Sequence, residues 1–72
     1  MKLIKLTNNH AQHKGSPLYI NIDHITSVYS LVVEDGMQHT FVYGGPTGES
    51  WDVEESVSEI ILKIENVQQS RI

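Results

Sequence analysis

Apolar positions along the chain change period once. Up to about residue 53 they come in short runs and alternations, and from residue 57 they fall on a helical stripe. Lys2-Leu3-Ile4-Lys5-Leu6 has extended character and stops at Thr7-Asn8-Asn9, residues that favour turns, which predicts a first strand over about 2–6. Residues 7–16 have no apolar period and end in Gly15-Ser16-Pro17, so they read as a polar, mobile loop. A short strand follows over 18–21, with Pro17 at its start, where a missing N–H need not break the ladder. Asn21-Ile22-Asp23-His24 reads as a one-turn link in which Asn21 or Asp23 accepts local N–H groups.

From 25 to 33 the chain is rich in Ile, Val, Thr, Tyr and Ser, which is strand chemistry. It reaches Glu34-Asp35-Gly36, and Asp-Gly between two extended runs is the strongest short hairpin signal, because a type I′ turn needs positive φ at both central residues. The return strand covers about 37–43. A loop over Gly44-Gly45-Pro46-Thr47-Gly48-Glu49 then leads into a last short strand over 50–53. Beyond it, Val57, Ile60, Ile61, Ile64 and Val67 make the apolar stripe of an amphipathic helix over about 55–67. Ser56-Val57-Ser58-Glu59 fits the S-x-x-E capping box, and Glu54 and Glu55 sit where the helix dipole favours negative charge.

The fold class that results is α+β: a small antiparallel sheet of four to five strands followed by one C-terminal amphipathic helix packed on one face, with residues 1–72 as a single domain. Alternation puts Val28, Ser30 and Val32 on one side of their strand and Tyr29, Leu31 and Val33 on the other. Met37, His39, Phe41 and Tyr43 share a face opposite Gln38, Thr40 and Val42. One helix covers one face, so a second apolar face needs burial: the sheet curls into a small barrel, or two chains pack face to face or edge to edge. The expectation is a homo-oligomer, which suits a chain of 72 residues, since a domain of about 60 residues buries only about 60% of its unfolded surface.

Composition narrows the classes. There is no cysteine, hence neither a disulfide framework nor a thiolate zinc site. The longest apolar runs, such as Leu31-Val32-Val33 and Ile60-Ile61-Leu62, are far short of the roughly 20 residues of a membrane span, and the expectation is a cytoplasmic protein with no membrane partner. The formal net charge is −4. Residues 34–72 hold eight acids against Lys63 and Arg71, so no nucleic-acid partner is expected of a chain with one Arg.

The candidate chemistry is sparse. His10 and His13, with His24 and His39, supply four imidazoles, but H-x-x-H in a polar loop is weak evidence for a metal site, and none is assigned. Gly44, Gly45 and Gly48 invite comparison with phosphate loops, yet the Lys-Ser/Thr pair of a P-loop is absent, and a wide turn is the simpler reading. No G-x-S-x-G elbow accompanies the serines, and Glu34-Asp35 and Glu54-Glu55 sit in turns or at the helix start. The chain therefore reads as non-enzymatic, without cofactor. Trp51 suits either the helix-packing core or an interface, and Phe41 suits the core.

Ile4-Lys5-Leu6-Thr7, Tyr19-Ile20-Asn21 with Asp23 and Ile25, a strand hairpin, and the closing Val53-Glu54-Glu55-Ser56-Val57-Ser58-Glu59-Ile60 with Lys63-Ile64 resemble the FlbD family of small proteins encoded in flagellar operons. The likeness spans most of the chain and rests on short hydrophobic patterns. It implies a cytoplasmic, non-enzymatic accessory protein affecting the flagellar motor, with no catalytic residues to carry over. The loops at 7–16 and 44–49 are longer than the family pattern, and a phage or mobile-element protein of this size would show the same pattern.

The expected function is a self-associating interaction module that also binds a protein partner, with contacts at Tyr29, Leu31, Val33, Phe41 and Trp51. The alternative is a small-ligand or nucleotide-binding or sequestering protein, using His10 and His13 in one loop and Gly44, Gly45 and Gly48 in the other.

Overall fold

Leu3–Thr7 (β1) and Pro17–Asn21 (β2) form an antiparallel hairpin in which Ile4 faces Ile20 and Leu6 faces Leu18. The computed structural model describes residues 2–32, 36–45 and 48–69. After β2 comes a single 3-10 turn, Ile22–His24, which the Asn21 side chain opens by accepting the Asp23 N–H at 3.0 Å. Ile25–Val32 (β3), Gln38–Gly44 (β4) and Glu49–Val53 (β5) follow, and Val57–Gln69 forms α1. Of the expected hairpin turn, Glu34 and Asp35 lie outside the described residues, as do Pro46 and Thr47 of the second loop; Gly36 has φ +78°.

The α+β class, antiparallel pairing and C-terminal helix are all present, but the strands do not form one sheet. They divide into a two-stranded sheet, β1-β2, and a three-stranded sheet, β3-β4-β5. The reason lies at the junction of β1 with β5. Asn8 and Val53 form one antiparallel bridge, flanked by Asn9 N–H to Asp52 O and Glu54 N–H to Thr7 O, both 2.9 Å. A regular ladder would have Thr7 and Glu54 exchange two bonds. Only one is made, because the Thr7 N–H goes instead to Glu55 Oε1 at 2.9 Å. On the other side the chain turns away at His10, so the ladder ends after one bridge.

Side chains from both sheets and the helix meet in one core: Ile4, Leu6, Ile20, Ile22, Val42, Val53 and Ile60 are buried, with Leu18, Ile25, Val28, Trp51, Ile64 and Val67 packed around them. Leu6, Val42, Val53 and Ile60 are the fully buried large side chains, each contributing about 1.5–3 kcal/mol by removal from water. The helix lies against β1 and β3. Its first turn is a complete capping box, with the Glu59 N–H donating to Ser56 Oγ at 3.1 Å and the Ser56 N–H to Glu59 Oε1 at 3.2 Å. The helix therefore starts at Val57 rather than at 55, since Ser56 is its cap and Glu55 is held by Thr7. The apolar stripe is narrower than expected. Ile60, Ile64 and Val67 face the core at i, i+4, i+7, whereas Ile61 is 47% exposed.

Among the described residues no helix is long and apolar enough to cross a membrane.

Candidate functional site

The β3/β4 register sets Tyr29 opposite Phe41, Leu31 opposite His39 and Ser27 opposite Tyr43. Thr40 and Val42, of the other parity, are buried, so these six side chains occupy the face turned away from the core. Phe41 is half-buried and outside the core cluster, contrary to the core placement expected for it. Its ring instead lies between Tyr29, with centroids 5.7 Å apart, and His39, at 6.3 Å, both stacked. Tyr29, Leu31, Tyr43 and Met37 are exposed, Leu31 by 52%.

Trp51 does not join this face. It pairs with Val42 and packs against the core, on the opposite side of the sheet from Phe41. Of the five residues expected to form one contact surface, Tyr29, Leu31 and Phe41 come together, Trp51 is separated from them, and Val33 lies outside the described residues.

One edge of the outer face is closed by a polar clasp. Phe41 pairs with Asp52 on β5, which brings the Asp52 carboxylate to His39, with Nδ1 to Oδ2 at 2.9 Å. A carboxylate only accepts, so Nδ1 carries the proton in this bond. Asn9 Nδ2 donates to Asp52 Oδ1 at 3.3 Å, and its equal distance to His39 Nδ1 is then a contact between two donors. Both side chains of the His39–Asp52 pair are mostly covered, at 17% and 18% exposure. The clasp ties the start of the 7–16 loop to the sheet. That loop is bonded within itself. Asn8 N–H reaches Ser16 O, Gly15 N–H reaches Asn8 O, and His13 N–H reaches His10 O, each at 2.9 Å.

A cleft of about 440 Å³ lies beside the clasp, lined among others by Asn9, His10, Lys14, Gln38, His39 and Asp52. None of its lining residues carries a hydroxyl or thiol nucleophile. The His10 and His13 rings are 6.1 Å apart, and among the described residues no three His, Asp or Glu side chains converge as a metal site would require.

The glycines of the second loop sit elsewhere. Gly44 is buried against the 3-10 turn, where a Cβ would collide with the His24 carbonyl, and the Gly45 N–H donates to that same carbonyl at 2.8 Å. Gly45 lines a smaller cleft of about 200 Å³ with Leu18, Tyr19, His24, Glu49 and Trp51. The two loops of the ligand alternative therefore border separate clefts within one chain.

Sequence reasoning missed the roles of Glu55, Asp52 and Asn9, which act across 13 to 48 residues of chain. The one local signal was negative: with Ser56 and Glu59 already completing the cap, the Glu55 carboxylate was left for another use. Comparison with protein-family models, with characterised proteins and with solved structures gives no match.

Proposed function

We propose that the protein is a small non-enzymatic interaction module that self-associates through the outer face of β3 and β4. The observation that carries this reading is the exposed cluster of Tyr29, Leu31 and Tyr43 around the half-buried Phe41, on the side of the sheet opposite the core. Aromatic side chains with a polar tip, set among aliphatic ones, are typical of contact surfaces, and a small domain gains apolar burial by covering such a face. The resemblance to the FlbD family supports, as its setting, an accessory role affecting the flagellar motor.

The test is Leu31→Asp, which places a charge on the face beside Tyr29. Leu62→Asp, at a 58% exposed helix position, serves as the control. Both keep the fold by circular dichroism, and only Leu31→Asp lowers the mass in solution. Equal behaviour of the two variants contradicts the placement.

A second reading takes the cleft beside His10, Lys14 and His39 as a small-ligand site, since its volume falls in the range of about 300–1,000 Å³ usual for such pockets. A ligand at 100 times its dissociation constant adds about 2.7 kcal/mol of stability. Absence of a thermal shift with a panel of nucleotides and small anions removes this reading.

A further inference from the structure

The direction of each backbone group in the three-stranded sheet follows from a few bonds. In an antiparallel strand the N–H and C=O of one residue point to the same side, and the side alternates along the chain. Asp52 O and Glu54 N–H bond to the β1 end, so Trp51 and Val53 address β4. Their partners Val42 and Thr40 then turn to β5, while His39, Phe41 and Tyr43 turn to β3. The Thr26 hydroxyl, donating to Tyr43 O at 3.0 Å from β3, agrees. Across the register, Tyr29 and Leu31 address β4, and the N–H and C=O of Val28, Ser30 and Val32 point out from the open edge of the sheet.

That edge is protected only at its start, by a register irregularity between Ile25 and Ser27, and is regular from Ser27 to Val32. Ile25–Val32 contains no charged residue, no proline and no glycine, and five of its eight residues are exposed. Exposed edges are normally blunted by charge, proline or short length. The other outer edge, β2, has five residues and begins with Pro17. β5 carries Glu49 and Asp52, and β1 carries Lys5. The chain has a net charge of −4, and two copies meeting through the uncharged β3 oppose no like charges within the strand.

We infer that two copies of this chain pair through β3, antiparallel about a two-fold axis centred on Ser30, to make one six-stranded sheet. This rests on the self-association reading and adds an edge contact to it, since pairing through β3 extends the exposed outer face across both copies without covering it. The outward parity restricts the centre, and the Ser30 register sets Val28 opposite the partner's Val32 and Tyr29 opposite the partner's Leu31. Every pair among residues 28–32 is then apolar with apolar, or serine with serine. The outer faces of both copies become continuous, so Tyr29 gains a cross-strand aliphatic neighbour. A two-fold pairing uses one edge per chain and closes, which avoids an open fibre.

The chain has no cysteine, so single-cysteine variants report the register directly. In this register Ser30→Cys places the two thiols on directly opposed residues, with Cα atoms about 5.5 Å apart, within disulfide range. Ser27→Cys puts them six residues apart along the strands, about 20 Å, and Val32→Cys about 13 Å. Mild oxidation of Ser30→Cys should give a covalent dimer at least about tenfold faster than either of the others. A dimeric mass for the parent chain with preferential linkage at Ser30 supports the pairing. A dimeric mass with linkage elsewhere, or with none, overturns this geometry and leaves self-association through the face standing. A monomeric parent overturns both. Serine and cysteine are near-isosteric, and circular dichroism of each variant before oxidation confirms that the fold is kept.

Discussion

The Glu55 carboxylate occupies the place of a missing strand bond, and removing it tests that assignment. It accepts the Thr7 N–H and the Thr7 hydroxyl, each at 2.9 Å, in a half-buried site, and so joins the end of β1 to the start of α1. Hydrogen bonds to a charged group contribute about 1.5–3 kcal/mol each when buried, and partial exposure here places the pair together near about 2 kcal/mol. Glu55→Ala should therefore lower the unfolding free energy by about 2 kcal/mol, which for a domain of this size is a fall in Tm of about 8–16 °C. Thr7→Val removes only the hydroxyl bond and should cost about 1 kcal/mol, with a coupling of about 1 kcal/mol in the double variant. Glu55→Gln keeps the shape and offers one oxygen to the N–H and one amide to the hydroxyl, so it should cost less than alanine. Urea unfolding followed by the fluorescence of Trp51, the lone Trp, at one fixed protein concentration reads all four. An alanine variant within about 0.5 kcal/mol of the parent, or no coupling to Thr7, refutes the assignment.

Three further outcomes follow from the packing. Gly44→Ala sets a Cβ against the His24 backbone carbonyl, and should cost about 1–3 kcal/mol or more in the same unfolding assay. Ser56→Ala removes the acceptor for the Glu59 N–H and should cost about 1 kcal/mol, read as a lower Tm. Ile60→Ala empties a fully buried position between helix and sheet and should cost about 2–5 kcal/mol, the largest loss among these variants.

Much of the architecture was legible because its signals are local. The capping box is four consecutive residues, the Asn21 cap acts two residues ahead, and alternation alone separated Phe41 and Tyr43 from Thr40 and Val42, and Tyr29 from Val28. What was not legible depends on long-range register. Trp51 faces the core because β5 pairs with β4 at Val42, and the intervening loop leaves that pairing unspecified in sequence. The division into two sheets depends on where β1 leaves β5. That point is set by a turn at His10 on one side and by a carboxylate two residues beyond β5 on the other. Gly44 read as part of a wide turn, yet its missing side chain makes room for a carbonyl twenty residues upstream. In each case the local composition fits both placements, and a distant partner decides between them.

The central claim is self-association through the β3–β4 face, and its most direct test is the molar mass of the parent chain by light scattering over a dilution series. The account predicts a species of twice the 8.1 kDa chain mass that dissociates only on dilution. A mass of one chain at every concentration contradicts it.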